Sequence, residues 1–119
     1  MERVQRINHN GKLIILVDLS NCIPEDSTVI IPHAAKEISK ENPKSALVLT
    51  DVTNAKYNKD VAEAIKNFVK QNTPFIKASA VVGAEGARLV LLKTVILITH
   101  REIKTFDDRP SAMDWLATH

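Results

Sequence analysis

Lys44-Ser-Ala-Leu-Val-Leu-Thr-Asp-Val52 decides the fold. Ala46 to Leu49 is a short run of aliphatic residues. A charged, proline-bearing stretch, Glu41-Asn-Pro-Lys44, precedes it, and a polar turn, Thr53-Asn-Ala-Lys56, follows it. Beyond that turn the pattern becomes helical. A short apolar run that feeds a helix predicts a buried central strand of an α/β sheet.

The helix after this strand is expected through about Gln71. Val61, Ala64, Ile65, Phe68 and Val69 make an apolar stripe, and Lys59, Glu63, Lys66 and Lys70 lie away from it. Asn72-Thr-Pro74 ends it. Phe75 to Val82 reads as the next strand, stopped by Gly83. Gly83-Ala-Glu-Gly86 then opens a third helix over Ala87 to Ile98. Leu89, Val90, Leu91, Leu92, Val95, Ile96, Leu97 and Ile98 cover nearly its whole circumference, with Lys93 and Thr94 between them. By composition Thr94–Thr99 also fits a strand. Glu102 to Phe106 alternates polar and apolar, as an edge strand with one wet face does. Asp108 is placed to cap a last helix, with Pro110 in its first turn and Ala112, Trp115 and Leu116 docking it.

Upstream, Val4 to Ile7 forms a short strand. Asn8-His-Asn-Gly11 supplies a tight hairpin turn. Lys12 to Asp18 follows as an apolar strand, and the Leu13–Val17 run predicts burial on both faces. A helix is expected from Asp26 or Ser27, with Ile30, Ala34 and Ile38 on one face. Pro32 either kinks it or marks where its regular part begins. Strands and helices therefore alternate, which predicts a mainly parallel sheet with an antiparallel hairpin at the start.

The 119 residues are expected to make one domain, with 45% hydrophobic and 25% charged residues. The net charge of +2 is spread, since lysines alternate with acids, as in Lys36-Glu37, Lys40-Glu41 and Lys59-Asp60. Nucleic-acid binding, which needs a clustered basic face, is not expected. Cys22 stands alone, so no intrachain disulfide forms and a reduced, cytoplasmic setting fits. Met1 to Ile7 lacks the apolar core of a secretory signal. No run of about 18 apolar residues predicts a membrane span. His9, His33, His100 and His119 show no metal-ligand spacing. His100 and Arg101 fit the C-terminal end of the third helix through its dipole.

Three stretches are candidate sites. Asp18, Asp51 and the turn holding Asn54 and Tyr57 fall near the carboxyl ends of neighbouring strands, where open α/β sheets bind ligands. Two carboxylates there can hold a cation or serve acid–base work, or can simply end strands. Gly83 and Gly86 flank a helix start whose free N–H groups suit an anion, although no full phosphate-binding pattern is present and Glu85 opposes one. The third helix carries surplus apolar surface. Leu89, Leu92, Val95 and Ile96 are candidates for a homodimer interface, a lipid-contacting lid or a partner surface; the alternative is deeper burial beneath the last helix and Trp115.

Gly11-Lys-Leu-Ile-Ile-Leu-Val-Asp18, Leu47-Val-Leu-Thr-Asp-Val-Thr53, Ala78-Ser-Ala-Val-Val-Gly-Ala-Glu-Gly86, and Ile103-Lys-Thr-Phe-Asp-Asp108 with Ala112-Met-Asp-Trp-Leu116 together carry a resemblance. In them the chain resembles the small bacterial proteins of the SpoIIAA-like superfamily, a STAS-type group related by fold to CRAL-TRIO lipid-binding domains. The resemblance implies a four-turn β/α superhelix and little chemistry. For its anti-sigma-factor antagonists it implies partner switching, with a kinase phosphorylating a serine in an Asp-Ser-Ser-Gly-like motif after the central strand. Thr50 to Asn58 stands at that place without the motif. Thr53 is its nearest hydroxyl and so the phosphoacceptor candidate; otherwise it serves the turn backbone.

The resulting expectation is a non-catalytic regulatory or protein-interaction module, self-associating or bound to another protein, with no cofactor and no metal. The alternative is a binder of a lipid or small apolar ligand, which requires a sizeable apolar cavity. An enzyme would instead need a polar cleft with perturbed carboxylates near Asp18 and Asp51.

Overall fold

Asn10 and Gly11 both take positive φ, 51° and 79°, as a two-residue type I′ hairpin loop requires. They join β1 (Val4–His9) to β2 (Lys12–Asp18) in antiparallel register, with Ile7 opposite Ile14. From β2 onward every pairing is parallel. β3 (Ala46–Asp51), β4 (Ile76–Val82) and β5 (Lys104–Phe106) add in sequence order, so the sheet reads β1-β2-β3-β4-β5. The computed structural model describes residues 2–119.

Each of β2 to β5 is followed by a helix: α1 (Pro24–Ile38), α2 (Lys59–Asn72), α3 (Ala87–Thr99) and α4 (Arg109–Leu116). These are the four β/α turns expected from the resemblance. Strands added one after another in the same direction, with crossovers of one hand, stack the connecting helices on one face. Accordingly α1, α2 and α3 share a face, where Ile15, Val17 and Val48 meet Ile31, Phe68 and Val95. The helix α4 follows the last strand and is free of that constraint. It crosses to the other face, where Ala112 and Leu116 cover Ile14, Leu16 and Leu49. The unbroken apolar run in β2 follows from this: alternate residues feed two cores. Each fully buried aliphatic side chain contributes about 1.5–3 kcal/mol. Leu13 departs from the expected burial at 42% exposed: it alternates onto the same face as Ile15 and Val17, but at the hairpin end of β2.

Helix ends follow local chemistry. Asn58 accepts a hydrogen bond from the Val61 N–H, and Asp108 one from the Ser111 N–H, both as N-caps. The first helix begins at Pro24, ahead of the expected Asp26 or Ser27, since proline fits the first helical position. Pro32 stays inside it. Thr73–Phe75 is a 3₁₀ turn, so the fourth strand starts at Ile76 rather than Phe75. The fifth strand is shorter than expected and excludes Glu102. Thr94–Thr99 is helical.

The α3 helix is where expectation and structure differ most. Deeper burial beneath the last helix and Trp115 does not occur, because α4 and Trp115 pack on the opposite face of the sheet. Only Leu92 and Val95 of α3 are buried. Val90 is 65% and Leu97 75% exposed, and Ile98 is exposed too. Leu92 and Val95 therefore belong to the core and are lost to any interface, while Leu89 and Ile96 lie half-buried at its margin.

Candidate functional site

The carboxyl edge of the sheet was the first candidate. Asp18 and Asp51 stand in register on adjacent parallel strands, a spacing of about 4.8 Å between strands. Each begins the same local turn. The Ser20 N–H and hydroxyl donate to Asp18 Oδ1 at 3.0 and 2.5 Å, and the Thr53 N–H and hydroxyl to Asp51 Oδ1 at 2.9 and 2.6 Å. A cation bridges the pair. Arg109, first residue of α4, donates through Nε to Asp51 Oδ2 at 2.6 Å and reaches Asp18 Oδ1 through Nη2 at 3.1 Å. Arg3 adds a contact to Asp18 at 3.4 Å.

Electrostatics agree with that geometry. Burial pulls Asp18 upward, but the two Ser20 hydrogen bonds, then Arg109 and Arg3, outweigh it and hold the carboxyl below its ordinary value. Partial burial works against the charge of Arg109, and the two carboxylates more than restore it. Asp51, 5% exposed, has both oxygens engaged. The edge is an ion cluster in which Arg109 ties both carboxylates and each Oδ1 is held by its own turn, so the charges are already compensated from within the chain. Among the described residues, no group of three or more His, Cys, Asp or Glu side chains is placed to hold a metal ion.

The other sequence candidates lie close by in separate roles. The Thr53 hydroxyl is spent on Asp51, and Gly83 presses on it: a Cβ at Gly83 would stand 2.7 Å from Thr53 Cα. Such crowding disfavours a phosphoryl group there. Asn54 turns the chain at φ 55° and is exposed. The Gly83 N–H donates to Phe106 O at 3.3 Å, which removes it from any anion cradle. Gly86 caps α3 at φ 56° with open space around it. The Tyr57 hydroxyl donates to Ala87 O at 3.1 Å and pins the start of α3. Cys22 is buried, and burial pushes its thiol up, as suits a core residue.

A second feature lies under α3, where the sequence placed only surplus apolar surface. Between α2, α3 and the first face of the sheet is a cavity of ≈ 80 Å³. Val48, Ile65, Phe68, Leu91 and Leu92 make much of its wall. Its polar lining includes Lys56, Tyr57, Asn72, Ser79, Arg88 and Arg101, and no Asp or Glu. Arg101 was expected to serve the C-terminal end of α3. Instead it reaches Val69 O at the end of α2 at 3.3 Å and Ser79 Oγ at 2.5 Å. His100 alone closes α3, in a left-handed conformation with its N–H on Ile96 O. Of the inward residues of α3, Leu91 and Leu92 line this cavity while Val95 packs in the first core, a division that an all-apolar wheel does not mark.

No protein-family model matches the chain, and no curated protein does. Among solved structures it is similar to an uncharacterised protein of the DUF3478 family from Shewanella loihica PV-4, described as having a SpoIIAA-like fold. The two align with a TM-score of 0.72 over 95% of this chain and 91% of that one, at 16% identity. At that identity the likeness speaks for architecture alone. With the five-stranded order, the antiparallel opening hairpin and the four β/α turns, it establishes that this chain has the SpoIIAA-like fold.

Proposed function

We propose that the protein is a non-catalytic binding module that takes a small apolar ligand into the cavity beneath α3. The observation that carries this reading is the cavity itself, walled by Phe68, Ile65 and Leu92 between α2, α3 and the sheet. Apolar walls with a few polar groups are the lining that small-molecule seats have, but such seats are usually about 300–1,000 Å³. At ≈ 80 Å³ this one admits a ligand as large as a medium-chain lipid or an aromatic dye only as α3, which buries just Leu92 and Val95, moves outward. The Arg109 bridge between Asp18 and Asp51 favours a structural role for the carboxylates over acid–base work. Native mass spectrometry of the purified protein, with titration of a neutral apolar fluorophore such as N-phenyl-1-naphthylamine, tests the reading. A saturable rise in fluorescence, or an adduct of small-molecule mass, is expected. A bare protein that leaves the dye unchanged overturns it.

A second reading, a regulatory module acting through protein contacts, is favoured by the outer face of α3. Val90, Leu97 and Ile98 are apolar and exposed, and such a patch suits self-association or a partner protein. Sedimentation at high protein concentration tests it, with a monomer as the outcome against a homodimer. The two readings are compatible, because the same helix roofs the cavity with one face and offers the other outward.

A further inference from the structure

The chain has five arginines. Three of them meet carboxylates: Arg3 with Asp18, Arg6 with Glu37 and Glu41, and Arg109 with Asp18 and Asp51. Arg88 and Arg101 have none among the described residues, and both line the cavity beneath α3. Lys56 lines it as well, and it too is without an acid. A wall that is apolar over most of its area, and whose charged residues are all cationic, is complementary to an apolar molecule with one negative end.

Resting on the ligand-binding reading of this cavity, we propose that its ligand is an apolar monocarboxylate, with the carboxylate seated on Arg101 and the hydrocarbon chain lying against Phe68 and Leu92. Arg101 is favoured over Arg88 by its surroundings. Its guanidinium is already oriented, by Val69 O, by Thr73 Oγ1 at 3.4 Å and by Ser79 Oγ. A guanidinium has five N–H donors, so after these three acceptors it retains donors for a planar carboxylate, the geometry it matches best. Burial pushes Arg101 down from its ordinary value with no acid to offset it, the reverse of Arg109. An anionic ligand supplies what is missing. Arg88, by contrast, donates through Nε to Gly83 O at 3.1 Å, past the end of β4. Gly83 is four residues beyond Ser79, roughly 13 Å along the strand. Arg88 thus stands at the far end of the cavity from the proposed head-group seat.

Calorimetric titration with octanoate and with octan-1-ol, which share a chain and differ in charge, separates the head group from the cavity. The expected result is saturable binding of both, with octanoate tighter by about tenfold or more. That preference is expected to collapse in R101Q, to weaken in R101K, which keeps the charge and loses the fork, and to persist in R88Q. Equal affinity for the two in the unmutated protein overturns the head-group assignment and leaves the cavity reading standing. So does tighter binding of octyl phosphate than of octanoate. A preference that survives R101Q and disappears in R88Q moves the carboxylate to the other end and overturns the seat proposed here. No binding of either compound, or of the neutral dye, overturns both readings together. The comparison in the unmutated protein decides the matter even where a variant fails to fold.

Discussion

Arg109 holds together a pair of charges that the parallel sheet forces side by side. Asp18 and Asp51 are in register, and without a cation between them they would repel. Removing one partner of a buried ion cluster costs about 3–5 kcal/mol, and part exposure of Arg109 places R109M toward the lower figure. Urea unfolding is expected to show a lower midpoint with an unchanged slope. A shift of less than about 0.5 kcal/mol would mean that the carboxylates are adequately solvated without Arg109. A second outcome follows from the titration of Asp18. Its folded-state carboxyl titrates below the ordinary 3.8, despite burial, because the Ser20 hydrogen bonds and the arginines favour the ion. Stability from this source is full above 3.8 and is lost as pH falls through the lower folded value. S20A removes the strongest favourable partner, so its deficit against the unmutated protein is expected to be largest near neutrality and to narrow in acid below 3.8. A deficit that stays constant into that range would show that the bond does not act on the charged carboxylate. Both aspartates were legible as residues at the ends of neighbouring strands, whereas the shared Asp-x-Ser/Thr turn that spends each hydroxyl on its carboxylate emerged from the hydrogen bonds. Arg109 was not, because it comes from 58 residues beyond Asp51 and nothing local marks where α4 begins in space.

The elements differ in how much of their environment a sequence encodes. For α2, polarity reports burial over most of its length: its stripe faces the first core and Lys59 and Lys70 are exposed, with Asn72, buried at its end, the exception. In β2 the unbroken apolar run correctly implied two covered faces, and Asn10-Gly11 fixed the register of the hairpin. The α3 helix breaks the correspondence. Its apolar residues run all round, so periodicity cannot say which face is inward, and the wall it meets depends on which side of the sheet α4 takes. The structure splits it into Leu92 and Val95 inside and Val90 and Leu97 outside. Two substitutions on this one helix are therefore expected to behave oppositely. L92A removes a buried side chain at the cavity wall, costs about 2–4 kcal/mol in urea unfolding, and alters dye binding. L97E changes stability by no more than about 0.5 kcal/mol, leaves dye binding intact, and abolishes any concentration-dependent association seen by sedimentation. Equal destabilisation by the two would mean that both faces of α3 are covered, and would count against the outer face as a contact surface.

At the scale of the molecule, one sheet serves two cores. Residues alternating along β2, β3 and β4 feed α1, α2 and α3 on one side and α4 on the other. The strands are common to both, so neither core can dissolve without exposing the back of the other. The second core is the smaller, resting on a short helix with Ala112 and Leu116 fully buried. The single tryptophan, Trp115, packs there against Phe106 at 5.6 Å between ring centroids, so its fluorescence reports that face. Far-ultraviolet circular dichroism is dominated by α1, α2 and α3 and reports the opposite face. If the sheet couples them, the two signals trace one transition, as in other small single domains. L116A, which truncates the side chain anchoring α4, is then expected to cost about 2–4 kcal/mol and to move both signals together, although most helical residues lie across the sheet from it. A tryptophan transition that shifts alone, with the circular dichroism midpoint unchanged, would show α4 to be a separately melting flap. In that case the Arg109 bridge would be lost before the fold is, because α4 carries Arg109 at its first residue. Coincident transitions would make the ion cluster at the sheet edge and the apolar roof over its first face parts of one cooperative unit.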